Sequence, residues 1–140
     1  MMDKKRDLLL QLNVVRKPNT NLIILRAILS ETHTRIDFGY FATDEYYRGG
    51  WIKMSPDSYL RTNSSEAKYK LKYTDDIPLA PARLNFKSNK DWHYFSLFFE
   101  PIPKRSCNID LIEVENPQDT DFNYYGIKLD LNNAEEIIKP

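Results

Sequence analysis

The stretch Ala67-Lys68-Tyr69-Lys70-Leu71-Lys72-Tyr73 alternates strictly, with Tyr69, Leu71 and Tyr73 on one side of an extended chain and three lysines on the other. Sliding the pairing by one residue would bury three ammonium groups, so the pattern specifies a half-buried strand in one register. The same period runs through Thr34 to Tyr40, where Ile36, Phe38 and Tyr40 share a face and Arg35, Asp37 and Gly39 share the other. Asp91 to Phe99 is apolar on both sides, with Phe95, Leu97 and Phe99 on one and Trp92, Tyr94 and Phe98 on the other. That pattern predicts a central strand covered on both faces.

Working outward, further strands are expected over 22–29, 51–54, 58–61, 82–86, 109–114 and 122–129. Turn chemistry separates them: Arg48-Gly49-Gly50, Ser55-Pro56-Asp57, Thr62-Asn63-Ser64-Ser65, Ser88-Asn89-Lys90, Pro101-Ile102-Pro103 and Asn116-Pro117-Gln118-Asp119. Short strands at such spacing predict an all-β chain forming a single antiparallel, immunoglobulin-like β-sandwich of about 7 to 9 strands. One domain over 1–140 is expected, with 1–20 and 131–140 as terminal segments outside the clear pattern. Lys4 to Leu12 fits helix or strand, and Ala134 to Ile138 fits one helical turn.

The bulk numbers agree with that class. The 140 residues are 41% hydrophobic and 29% charged, and the 13% of aromatics, with nine Tyr and seven Phe, favours pleated surfaces over helix stripes. Lysine plus arginine and aspartate plus glutamate are 20 each, so no global field draws the chain to nucleic acid, an unlikely partner. The basic start is followed by an apolar run too short for an export signal, and Leu22 to Leu29 is interrupted by Arg26 and too short to span a bilayer. A chain without a membrane span is expected, cytoplasmic as given, or periplasmic or surface-located if an export signal has been removed.

Candidate chemistry is sparse. Cys107 follows Lys104 and Arg105, cations that would lower a thiol's pKa, but a nucleophile needs a base and only His33 and His93 exist. A small thiol-dependent or metal-assisted hydrolase using Cys107 and a histidine is therefore the alternative reading. Asp37 or Asp110 could join the histidines around a metal, but no ligand spacing supports this. The acidic run Glu113 to Asp121 offers oxygen ligands for calcium without the EF-hand pattern. Lys68, Lys70 and Lys72 read as a solvated face. No metal, cofactor or catalytic residue is assigned. Tyr46, Tyr47 and Trp51, in the loop Asp44 to Trp51, are the expected binding residues, because aromatics on a rigid scaffold bring contact area at little entropic cost.

Four ordered blocks carry a resemblance: Gly50-Trp51-Ile52-Lys53-Met54 with Ser58-Tyr59-Leu60; Lys68-Tyr69-Lys70-Leu71 with Ile77-Pro78-Leu79; Phe95 to Pro103 leading to Ile109-Asp110-Leu111-Ile112-Glu113; and Phe122 to Leu129. Over residues 33 to 129 the chain resembles an uncharacterised immunoglobulin-like β-sandwich domain of Bacteroidetes, found alone or ahead of thioredoxin-like or peptidase domains. Ser65-Glu66-Ala67 stands where a glycine is expected before the Lys-Tyr strand. The resemblance implies no catalytic residues. The expected function is a non-enzymatic binding or accessory module contacting a protein or cell-envelope partner, through the aromatic loop or by pairing at a sheet edge.

Overall fold

The computed structural model describes residues 6–15, 22–41, 51–52, 54–77, 84–85, 92–115 and 123–137. Eleven strands follow in chain order: β1 Asp7–Val15, β2 Leu22–Leu29, β3 Thr34–Phe41, β4 Trp51–Ile52, β5 Tyr59–Thr62, β6 Tyr69–Asp75, β7 Leu84–Asn85, β8 Trp92–Phe99, β9 Cys107–Ile112, β10 Tyr124–Leu129 and β11 Glu135–Ile137. Among the described residues the only helical element is a 3-10 turn at Leu131–Asn133. No helix there is long and apolar enough to cross a membrane.

Nine strands form one antiparallel, unclosed sheet in the order β10-β9-β5-β6-β8-β3-β2-β1-β11, and β4 pairs with β7 separately. The all-β reading holds, and the main sheet's nine strands fall within the expected 7 to 9, while the separate β4–β7 pair brings the described strands to eleven. The sheet turns a corner at β6, whose Tyr69 and Lys70 pair with β5 while Leu71 to Asp75 pair with β8. The two flanking portions face each other over one core. Phe38 of β3 stacks on Phe95 of β8 at 4.9 Å and meets the Tyr124 ring of β10 edge-on at 6.1 Å. The Tyr124 hydroxyl donates to the Leu22 carbonyl on β2, 3.0 Å away. Ile36, Leu60, Leu97, Phe99, Ile109, Leu111 and Ile127 fill the space between.

The terminal segments take strand form for reasons of burial. Leu8 and Leu10 alternate into the core within a strand that begins at Asp7, so the part of the Lys4 to Leu12 segment from Asp7 onward is strand rather than helix. Among the described residues of Ala134 to Ile138, the expected helical turn is not formed. Glu135 to Ile137 instead extend along Asp7 to Leu9, and the helical geometry is confined to Leu131–Asn133, where the Asp130 side chain accepts from the Asn132 amide.

Register shifts mark four strand pairs, β1 with β2, β2 with β3, β9 with β10 and β6 with β8. Gly126 adopts φ +66° at the shift between Tyr124 and Ile127, and its amide donates to the Asp110 carboxylate. A Cβ there would meet nothing within 4 Å, so the glycine serves the bulge rather than close packing. Asn13, at φ 53°, plays the same part between β1 and β2. The shift in β6 between Leu71 and Tyr73 overturns an expectation: Leu71 remains on the core side while Tyr73 turns outward and is 47% exposed. Thr74 takes the next half-buried position, opposite Leu97.

Phe38→Ala is expected to lower unfolding free energy by about 3–5 kcal/mol in a denaturant titration, because a ring packed on two others leaves a cavity. Tyr124→Phe, which keeps the ring and loses the hydroxyl that bonds Leu22, should cost about 1 kcal/mol. Equal losses for the two would show that the ring contacts do not hold the two portions together.

Candidate functional site

Among the described residues, the outer face of β2, β3, β8 and β6 sets an aromatic row beside a charged one. Cross-strand pairing sets side chains in rows, and one row runs Leu9, Ile28, Arg35, Phe98, Tyr73. The next runs Gln11, Arg26, Asp37, Ser96, Asp75. Phe98 points away from the core yet is only 6% exposed, because neighbours roof it. Tyr73 stacks on it at 4.3 Å and 14°, His33 meets it edge-on at 5.4 Å, and the Arg35 guanidinium lies over it at 5.6 Å. The stack fixes the Tyr73 ring with one face covered and the other open to solvent. Tyr94, two positions beyond Ser96 on β8, is 61% exposed, so β8 is central but not covered on both sides as its sequence predicts.

Asp37 anchors the second row. Its side chain is 6% exposed, and the carboxylate accepts from Arg26 Nε at 2.6 Å, Arg35 Nε at 2.7 Å and the Ser96 hydroxyl at 2.6 Å. Burial by itself pushes the carboxyl pKa up, but the bonds from Ser96, Arg26 and Arg35 outweigh it and hold the group below its ordinary value. Two arginines and a hydroxyl keep the carboxylate charged under the sheet surface.

A second feature is a cleft of about 570 Å³ where β6 leaves β5, lined by the Ser55–Tyr59 turn, Lys68, Lys70, Leu71 and Glu113–Glu115. Its polar groups are largely bonded to one another. The Tyr59 hydroxyl donates to Glu115, which raises the tyrosine pKa and lowers the glutamate's. Lys68 Nζ sits 3.6 Å from Glu115 and 4.8 Å over the Tyr59 ring, and Glu113 accepts the Ser55 amide. The buried Asn123 side chain accepts from the Glu113 and Val114 amides and donates to the Val114 carbonyl.

The sequence candidates fall as follows. Tyr46 and Tyr47 lie outside the described residues, and of Trp51 only the backbone is described, paired with Asn85. Cys107 is half-buried on β9 beside the core, and burial raises its thiol pKa against a smaller lowering by Arg105, the opposite of activation. His33 bonds Thr32 and packs on Phe98, and His93 Nε2 donates to the Asp76 carbonyl. In the sheet, β5 and β6 stand between the strand of Cys107 and that of His93. Asp37 and Asp110, weighed as metal ligands, are each bonded by arginine: Asp37 by two and Asp110 by Arg61. Of the acidic run, 116–121 lie outside the described residues, while Glu113 and Glu115 are bonded in the cleft. Lys72 Nζ donates to the Thr32 carbonyl. Arg26 and Tyr73 carry the outer face yet do not stand out as site residues in the sequence. A cation inside an otherwise apolar strand was the available signal for Arg26; nothing local reveals the shift that turns Tyr73 outward.

Compared with known proteins, the chain matches no family model, no curated protein and no solved structure.

Two predictions follow from the ionisable groups. A folded carboxyl pKa below the unfolded value gives stability that is present above the unfolded value and lost as pH falls through the folded one. Asp37→Asn should therefore cost about 2 kcal/mol near neutrality, and the difference from the native chain should shrink in denaturant titrations stepped below about pH 4. A constant difference down to pH 2 would remove Asp37 as the charged anchor. For Cys107, the rate of alkylation should reach half its maximum above about pH 8.5, and a midpoint near neutrality would contradict the buried thiol.

Proposed function

We propose that the chain is a non-enzymatic binding module that engages a protein partner through the outer face of β3, β8 and β6. The observation that carries this reading is the outward turn of Tyr73 onto Phe98, which presents a fixed aromatic plate beside Arg35 with the exposed Tyr94 on the same face. Tyrosine and arginine dominate binding energy at protein interfaces, and a ring held in place loses little entropy on contact. The immunoglobulin-like reading belongs to the same proposal, supported by two portions of an antiparallel sheet closing over one core.

The hydrolase alternative gains no support from the ionisable groups. The Cys107 thiol is raised, Tyr59 is raised and Glu115 lowered, so each of the three is moved away from the neutral range in which a general acid or base works best.

The test is capture of a partner from cell extract by the immobilised chain, compared with a Tyr73→Ala, Tyr94→Ala double variant. Tyr94 is exposed and Tyr73 is half-exposed over Phe98, so the variant should lose about 1–2 kcal/mol and remain folded. The expected result is a stoichiometric partner whose recovery falls at least about tenfold with the variant. Undiminished recovery would sink the assignment of this face.

A further inference from the structure

The two guanidiniums above Asp37 hold donors that no described residue engages. Arg26 bonds Oδ2 and Arg35 bonds Oδ1, each through Nε alone. A guanidinium carries five N–H donors in a rigid fork, so the four on the terminal nitrogens of each remain. Among the described residues no hydrogen bond or ion pair engages those nitrogens, and the side chains are 43% and 40% exposed. Their orientation is nevertheless fixed. The buried carboxylate grips both Nε atoms, Ser96 locks that carboxylate, and Phe98 lies under the Arg35 plane.

Two cations on one anion leave the cluster one positive charge in excess. We propose that Arg26 and Arg35 form a receptor for a side-chain carboxylate in an acidic segment of a protein partner, with an apolar or aromatic neighbour of that carboxylate resting on Tyr73. This rests on the reading of the same face as a binding surface. The fork of a guanidinium matches the two oxygens of a carboxylate, and a second fork alongside lets one acid be held from two sides. Phosphate shares the oxyanion chemistry, but as a dianion it would set its second charge against the Asp37 carboxylate beneath. A single excess charge suits a monoanion. Asp75, exposed on β6 in the row of Asp37, confines the favourable field to the β2 and β3 side and so sets the direction from which the acid approaches.

The experiment titrates the whole chain with a blocked pentapeptide alternating glutamate and tyrosine, and with its glutamine counterpart. The readout is the arginine Nε–H signals and the backbone amides of β2, β3 and β8 by NMR. The glutamate peptide should move the Arg26 and Arg35 signals and bind at least about tenfold more tightly than the glutamine peptide, with the difference shrinking as salt is added. Arg26→Gln and Arg35→Gln should each bring glutamate-peptide affinity close to the glutamine-peptide level. Arg35→Lys, which keeps the charge and loses the fork, should weaken it as well.

Equal affinity for the two peptides, or native affinity in both glutamine variants, overturns the proposal. So does inorganic phosphate moving the same signals at the same or lower concentration, since the receptor would then not be one for carboxylates. If both peptides bind equally and Tyr73→Ala abolishes that binding, the carboxylate receptor is refuted while the binding face stands. If Arg35→Lys binds like the native chain, simple charge attraction replaces the fork and the proposed geometry fails.

Discussion

The structure depends on one strand serving two partners. β6 gives its first residues to β5 and the remainder to β8, so the nine-stranded sheet bends there. An open antiparallel sheet with one apolar face must bury that face, and folding over itself lets it do so without a second chain. The extra residue between Leu71 and Tyr73 eases the corner, because a bulge bends its strand and adds local twist. Everything inside follows from the bend: Phe38 reaches Tyr124, and Tyr124 reaches the Leu22 carbonyl.

The same bulge shapes the exterior. A regular ladder would have buried Tyr73 and left Phe98 bare beside the lysines. The shift moves a phenol ring outward onto that phenylalanine, so an apolar side chain on the solvent side gains a cover that is itself amphipathic. Arg35 contributes to two neighbours at once, with its plane over Phe98 and its Nε on Asp37, and so ties the aromatic row to the charged one.

How much of this the sequence discloses depends on whether the information is local. Alternation over Thr34 to Tyr40 and the doubly apolar Phe95 to Phe99 expose β3 and β8, and Leu22 to Leu29 is β2 to the residue, because a two-residue period states which side is buried. The bulges are not legible that way. Gly126 could be singled out as a point of freedom, but a shift between Leu71 and Tyr73 has no special residue to announce it, since lysine and tyrosine suit either ladder. The Asp37 cluster is equally hidden: its members lie in three strands, and only the pairing of Arg26 with Asp37 and of Asp37 with Ser96 assembles them. Cys107 misleads for a related reason. The adjacent cations are visible in the chain, whereas the burial that outweighs them is a property of the fold.

The ends of the sheet hold a mechanical consequence. β10 and β11 lie on opposite edges, yet only Asp130 to Ala134 connect them, so the final strand crosses from one rim of the sheet to the other in a single turn and latches β1. Asp7 lies opposite Ile137, Leu8 opposite Glu136 and Leu9 opposite Glu135. A pull that separates the chain before Asp7 from the chain after Ile137 would load these three rungs one after another, as a zipper opens, rather than all together in shear. Rungs loaded in turn resist less than rungs loaded together, so the latch can open while the corner at β6 and the rows on the outer face stay intact.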